Sequence, residues 1–491
     1  MLIEHLLANA QTRPDEIAIY DESGSHTFRQ VAAMAGGLSR YISSVTQRPN
    51  VGLILPSGVG FVASFYGTLW AGKSVVPVNF LLSHREIAHV LMDSGIDTVI
   101  TIPLLAAKLK DTPLKIIDLT QLPPPPAAPS APPPLPQKSA DDMAVLMYTS
   151  GTSGLPKGVI LSYGNLQSDV DAAIEHAALQ HGHRFLGLIP LFHSFGMTGA
   201  MLAPIQLGAP VVYMARFSAP AVVKAITEHQ ISLLMAIPSM YAAMLHLKGA
   251  PPETFASLYA AISGGEPLPA AVTQGFRQRF NLTLYEGYGL TETSPVVALN
   301  VPRHFRLGSV GRPVPTARIR IIGDDGADQP AGQSGEIWLG GPMVMKGYHN
   351  LPRETAEALT PDHYFKTGDL GRFDEDGFLY IVGRKKELII VAGEKAVPRE
   401  IEEALLTNPA VAEAAVVGKK DASRGEIVVA FVTVKEGHTV TADALRQSCR
   451  DAGLAHWKTP REIFIQADLP RSPTGKVLKR ILAEQVNAPA Q

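Results

Sequence analysis

Between Tyr148 and Gly158 the chain reads Tyr-Thr-Ser-Gly-Thr-Ser-Gly-Leu-Pro-Lys-Gly, a run of hydroxyls and glycines with one lysine near its end. Glycines let backbone amides approach a polyphosphate, hydroxyls donate to its oxygens, and a lysine offsets its charge. Thr149, Ser150, Gly151, Thr152, Ser153 and Lys157 therefore read as a nucleotide-phosphate loop. A Walker A loop needs glycine before its lysine and serine or threonine after it, and Pro156 and Gly158 stand there instead, which disfavours a P-loop kinase or ATPase. A Gly/Ser turn without a ligand is the plainer alternative. His181 and His183 suggest a metal only superficially, because no further ligands lie nearby in sequence, and they read as loop residues. Gly323 to Gly326 and Asp374 to Gly377 lack the ligand spacing of a calcium loop and read as hairpin turns.

Such a loop needs a strand to deliver it, and Ala144-Val145-Leu146-Met147 is a strand-like apolar run directly before it. Upstream, Val51 to Leu55 reads as a buried strand, Phe61 to Ala71 as a helix and Ser74 to Val78 as a second strand, the signature of βαβ units in a parallel sheet. Leu2/Leu6 and Ile3/Leu7 place an amphipathic helix at the start. Pro123 to Pro136 is almost entirely proline and alanine, so an exposed polyproline-type loop is expected, with a PxxP docking ligand as the alternative. Strand and helix signals continue through residues 143–300, and Arg318 to Ile322 is a short apolar run. Beyond Gly383-Arg384 a compact α+β pattern begins, with a helix at Pro398 to Leu406 and strands at Ala414 to Val417 and Ile427 to Val434. The boundary is placed near Lys386, giving an N-terminal domain over 1–385 and a C-terminal domain over 386–491.

At 491 residues the chain exceeds what one hydrophobic core fills, so at least two domains are expected. Lysine plus arginine number 43 against 45 aspartate plus glutamate, too balanced for the basic field of a non-specific nucleic-acid binder. Cys449 is the only cysteine, which excludes an internal disulfide and a thiolate metal cluster and fits a reducing, cytoplasmic setting. The first residues lack the basic and apolar regions of a secretory signal, and no apolar stretch reaches the length of a membrane span, so at most peripheral membrane association is expected.

Further segments follow the loop in a definite order: Pro190-Leu191-Phe192-His193-Ser194-Phe195-Gly196, Ser263-Gly264-Gly265-Glu266-Pro267-Leu268, Tyr285 to Thr293, Tyr364 to Asp369, Gly383-Arg384-Lys385-Lys386-Glu387 and Pro473-Thr474-Gly475-Lys476. Together they resemble the adenylate-forming superfamily of acyl-CoA synthetases, peptide-synthetase adenylation domains and luciferases, over nearly the whole chain. The resemblance implies an α/β fold, with a large multi-subdomain N-terminal domain of stacked sheets and helices and a small mobile α+β C-terminal domain. It also implies ATP, Mg²⁺ and an acceptor thiol, either CoA or the phosphopantetheine arm of an acyl carrier protein.

By the same resemblance, Lys476 is the catalytic lysine bridging the carboxylate and α-phosphate oxygens, where a solvated tail lysine is the alternative. Glu292 matches the Mg²⁺ ligand and Thr291 a donor to the α-phosphate, although Thr-Glu-Thr is also a capping sequence. Tyr288, beside Gly289, offers a flat face to adenine, and the turn with Gly264, Gly265 and Glu266 offers backbone contacts to base and substrate; a core tyrosine is the alternative. Asp369 accepts from the ribose hydroxyls and Arg384 donates to the same sugar, unless both are surface turn residues. His193 matches a position at the entrance of the acyl pocket, or is an ordinary half-buried histidine. Lys386 coincides with the family's hinge, about which Lys476 would exchange for the loop around Ala392-Gly393-Glu394, or is one charge in a cationic surface run. Some relatives carry another functional lysine six residues after the arginine; Ile390 stands there in this chain.

Amino-acid activators usually place an aspartate near Phe192-His193, and Pro190 to Gly196 holds no acid, so a carboxylic acid without an α-ammonium is implied. Phe192 to Gly196 and Ser294 to Pro302 look most like fatty acyl-CoA and acyl-carrier-protein synthetases, which makes a fatty acid the expected substrate. Lys419, Lys420 and Arg424 are candidates for a basic patch toward the CoA 3′-phosphate. A non-enzymatic acyl- or nucleotide-binding module is the remaining alternative.

Overall fold

The computed structural model describes residues 2–109, 112–122, 132–149, 155–471 and 477–488. Two compact units emerge from its packing: residues 1–319 with 339–366, and residues 320–338 with 367–491.

The first unit is built on two sheets. One has seven strands in the order Gly347–Tyr348, Lys157–Ser162, Met143–Thr149, Ser74–Pro77, Asn50–Ile54, Thr98–Thr101, Lys115–Asp118. Asn50–Ile54 and Ser74–Pro77 pair in parallel, as the βαβ pattern requires. The other has nine strands, with a parallel middle made of Leu284–Gly289, Ala260–Ser263, Leu233–Ala236, Phe185–Gly187, Val211–Tyr213 and Ile17–Asp21. Strand side chains alternate faces, and the sequence uses both. Leu53 and Val75 join a shared core with Leu233 and Met235 of the other sheet. Their neighbours Ile54 and Val76 pack outward on the Ile87, Val90 and Leu91 face of the helix His84–Asp93. Leu234 and Ala236 likewise turn to Tyr241 and Phe276 in a separate cluster. Both faces of both sheets are therefore covered, which explains near-continuous apolar strands.

The helix Val59–Trp70 occupies the shared core, with Phe61 through Trp70 all buried. A Cβ on Gly67 would lie 2.8 Å from the Ala35 carbonyl oxygen, so this glycine sets the close approach to the helix Phe28–Val45. The helix begins two residues before the predicted Phe61. Its first turn is capped from 38 positions upstream, by Asp21 accepting from the Val59 N–H at 2.7 Å. The first helix spans Leu2–Thr12 and buries Leu2, Ile3 and Leu6. In the proline-rich stretch, residues 123–131 lie outside the described residues. Residues 132–136 have no regular structure and are exposed or half-buried, as expected of a loop, yet Trp70 Nε1 donates to the Pro133 carbonyl at 3.1 Å. Among the described residues no helix is long and apolar enough to cross a membrane.

In the second unit Ile389–Val391, Glu394–Ala396, Val411–Asp421, Gly425–Val434 and Glu462–Ile465 form one sheet. Helices Pro398–Leu406 and Ala442–Asp451 cover one face through Ile401 and Leu445, while Lys479–Asn487 covers the other through Leu482. Thr367–Phe373 continues antiparallel into Leu379–Arg384 across the turn at Asp374–Gly377, closed by Gly377 N donating to Asp374 O at 3.1 Å. The packing groups this hairpin with the C-terminal residues, ahead of the sequence boundary at Lys386.

Candidate active site

In open α/β sheets ligands gather beyond the carboxyl ends of the parallel strands, where helix N-termini and loops converge. Four of the motif segments of the first unit sit there. Gly264 follows Ala260–Ser263, Thr291 and Glu292 follow Leu284–Gly289, His193 lies on the loop after Phe185–Gly187, and Thr149 ends Met143–Thr149. Ser194 and Thr291, 97 positions apart, share a hydroxyl–hydroxyl hydrogen bond of 3.2 Å, which ties the His193 segment to the Glu292 segment.

Thr149 pairs with Lys157 across an antiparallel hairpin, so both ends of the phosphate loop are fixed by strand register. Ser150, Gly151, Thr152 and Ser153 lie outside the described residues. Lys157 Nζ lies 5.3 Å from the centroid of the Tyr348 ring, a cation–π contact. Tyr348 Oη donates to Glu292 Oε1 at 3.0 Å. Burial, and then the Glu292 charge, push the Tyr348 phenol up, so it remains a donor. Tyr348 is thus a spacer between one cation and one carboxylate. Glu292 is half-buried, and its backbone oxygen accepts from Met345 N at 2.8 Å. Among the described residues no cluster of three metal-binding side chains exists. A single hard carboxylate suits Mg²⁺, which usually takes one or two protein oxygens and fills the rest of its octahedron with phosphate oxygens and water.

Tyr288 is half-buried on the strand Leu284–Gly289, opposite Ala298. A Cβ on Gly289 would stand 1.7 Å from the Pro295 oxygen, so only glycine fits. Gly265 adopts φ +83°, turning the chain after Ser263, and a Cβ on Gly264 would sit 3.4 Å from the Phe195 ring. Glu266 is half-buried in the same turn. His193 packs on Phe192 at 4.9 Å between ring centroids, and burial pushes its imidazole down to about 4, so it is neutral at pH 7. His183 bonds Ser232 Oγ at 3.0 Å and packs against Tyr259, which fits the loop reading.

In the second unit Asp369 and Arg384 are directly cross-strand, and Arg384 Nε donates to Asp369 Oδ1 at 2.7 Å. Asp369 is 4% exposed, and its amide donates to Thr367 Oγ1 at 2.9 Å. Lys386 is exposed on the one-turn helix Lys385–Glu387. Ala392 and Gly393 form a tight hairpin turn, with φ of 51° and 91°. Lys476 lies outside the described residues. Lys419 is held by both oxygens of Glu462, at 2.7 and 2.9 Å, so it is an ion-pair partner and not an available phosphate ligand. Lys420 and Arg424 line an open groove of about 900 Å³ together with Ala392 and Gly393.

The class that this fold and these groups define is a nucleotide-dependent ligase, and the comparisons agree. Residues 6–349 match the AMP-binding enzyme family and residues 400–476 the AMP-binding enzyme C-terminal domain. The chain belongs to the AMP-binding enzyme family, and it is an AMP-forming acid–thiol ligase. It is 38% identical to a sulfoacetate–CoA ligase of Cupriavidus necator, over 94% of each chain. It is 33% identical to a long-chain-fatty-acid–CoA ligase of Bacillus subtilis, over 98% of this chain and 94% of the relative. The o-succinylbenzoate CoA synthetase of Bacillus subtilis, solved with its acyl-adenylate intermediate, superposes with a TM-score of 0.89 at 30% identity, over 99% and 98% of the two chains. The same enzyme has been solved with ATP and magnesium.

Sequence motifs did not single out Tyr348, Asp169 or Asp93. Asp169, fully buried, accepts from Val296 N with both oxygens and pins the turn after Glu292; burial raises its carboxyl well above the ordinary range. No local pattern marks these residues, because their partners are more than fifty positions away.

Proposed function

We propose that this ligase activates a fatty acid as its acyl-adenylate and passes the acyl group to CoA. In the first step a carboxylate oxygen bonds to the α-phosphorus of ATP and pyrophosphate leaves. In the second the thiol sulfur bonds to the acyl carbon, AMP leaves, and the thiol proton passes to solvent. The first step joins two anions, so it calls for charge neutralisation more than for a general base. Lys157, Thr149 and the loop between them hold the phosphates, Thr291 donates to the α-phosphate, and Glu292, braced by Tyr348, takes Mg²⁺. Lys476 neutralises the charge shared by carboxylate and α-phosphate. Tyr288 stacks on adenine, and Asp369 and Arg384 hold the ribose. Lys386 is the pivot that separates the two steps.

The observation that carries the acid assignment is the apolar packing around Gly264 and Gly199. Phe195 lies against Gly264, and a Cβ on Gly199 would come 2.5 Å from Met235 Sδ, so the side chains packed at these glycines are hydrocarbon and thioether. His193, two residues before Phe195, is neutral and brings no charge to that segment. The long-chain relative supports this reading, whereas the sulfoacetate relative favours a short acid with a second anionic group. CoA is favoured over a carrier protein by the names of the relatives and by Lys420 and Arg424 on the groove. A panel of fatty acids of graded length, sulfonated and dicarboxylic short acids and aromatic acids, assayed for AMP and thioester with CoA, tests it. Turnover highest on a fatty acid is expected; selective turnover of sulfoacetate would overturn the acid assignment.

A further inference from the structure

Asp93 ends the helix His84–Asp93, where a negative charge opposes the helix dipole. Two other segments meet it. Its carboxylate accepts from Tyr148 Oη at 2.6 Å and from Asn350 Nδ2 at 3.2 Å. Its carbonyl accepts from His349 Nε2 at 3.1 Å and from Asn350 Nδ2 at 3.3 Å. Tyr148 directly precedes Thr149, and His349 and Asn350 directly follow Tyr348, which touches both Lys157 and Glu292. One turn earlier on the same helix His89 Nε2 donates to the Pro156 carbonyl at 3.0 Å, beside Lys157. Burial and Asp93 push the Tyr148 phenol up, so it stays protonated as the donor.

We propose that Asp93 is a positioning residue for the ATP phosphates, holding the start of the phosphate loop through Tyr148 and the Tyr348 brace of Lys157 and Glu292 through His349 and Asn350. The proposal rests on the phosphate and Mg²⁺ roles assigned above. Asp93 touches no substrate itself. Its geometry explains why a helix end tolerates an unfavourable charge: two donors, Tyr148 Oη and Asn350 Nδ2, converge on its carboxylate, and hydrogen bonds to a charged group outweigh the dipole penalty at that helix end.

The test is equilibrium binding of MgATP and of AMP to the full-length chain carrying Asp93→Asn, Tyr148→Phe or both. AMP lacks the β- and γ-phosphates, so displaced phosphate ligands weaken MgATP alone. Each single variant is expected to raise the Kd for MgATP about 10-fold and that for AMP less than about 2-fold, with the double variant little worse than either single. Equal weakening of both nucleotides, or no change in MgATP, would overturn it. Should Asp93→Asn fold poorly, Tyr148→Phe carries the same comparison. Wild-type chain that binds AMP but gains nothing from the added phosphates and Mg²⁺ would overturn the underlying role assignment, a result distinguishable from wild-type binding that the variants leave untouched.

Discussion

The nucleotide groups of the two units are assembled differently. In the first, Lys157, Tyr348 and Glu292 come from segments up to 191 positions apart: Gly347–Tyr348 pairs antiparallel with Lys157–Ser162 at the edge of one sheet, and Glu292 follows a strand of the other. In the second, Asp369 and Arg384 are neighbours across one hairpin, 15 positions apart, and their contact follows from register alone. The first arrangement depends on the whole fold and is braced by neutral donors; the second is a local ion pair that a short peptide segment encodes. Substitutions should therefore spread through the network in the first case and stay confined in the second.

The largest effect is expected at Lys476. Lys476→Ala should slow adenylation by about 1000-fold while thioester formation from supplied acyl-adenylate is largely retained, since the lost charge acts only where two anions meet. Equal loss of both steps would contradict that division. Glu292→Gln should lower the adenylation rate by roughly 100-fold and raise the Mg²⁺ concentration needed for half-maximal rate, with Tyr348→Phe in the same direction at about 10-fold or less. If the Mg²⁺ requirement is unmoved, the brace has no role in metal binding. Asp369→Asn should raise KM for ATP by about 10-fold without altering the Mg²⁺ requirement, which would sharpen the contrast between the units. A shifted Mg²⁺ requirement would erase it.

A smaller effect concerns His193. Its folded-state pKa of about 4 lies below the ordinary 6.5, so the unfolded chain takes up a proton first as pH falls. Stability should be unaffected above about pH 6.5 and decline between there and pH 4, and His193→Gln should remove part of that slope. Denaturant midpoints of the two chains at pH 7 and pH 5 check this; parallel shifts would mean that His193 is not the group responsible.

Much of the fold was legible because short continuous apolar runs announce strands wherever both faces of a sheet are covered. Val51 to Leu55, Ser74 to Val78, Pro398 to Leu406 and Ile427 to Val434 lie within one residue of observed elements or inside them. Contiguous motifs singled out Thr149, Lys157, Glu292, Asp369 and Arg384 by residue type and spacing, and the structure pairs Thr149 with Lys157 and Asp369 with Arg384 and brings Lys157 and Glu292 to one tyrosine. What stayed hidden depends on tertiary partners. The start of the helix Val59–Trp70 is capped by Asp21, Tyr348 finds Glu292 56 positions earlier, and Asp93 meets Asn350 257 positions later. Lys419 looked like an available cation because nothing in its own segment reveals Glu462.

The central claim is that the acid is joined to AMP before any thiol takes part. Acid-dependent exchange of labelled pyrophosphate into ATP, measured with wild-type chain and no CoA, tests it most directly. The account predicts exchange that requires both the acid and Mg²⁺ and proceeds without CoA; exchange that appears only when CoA is added, or formation of ADP in place of AMP, would contradict it.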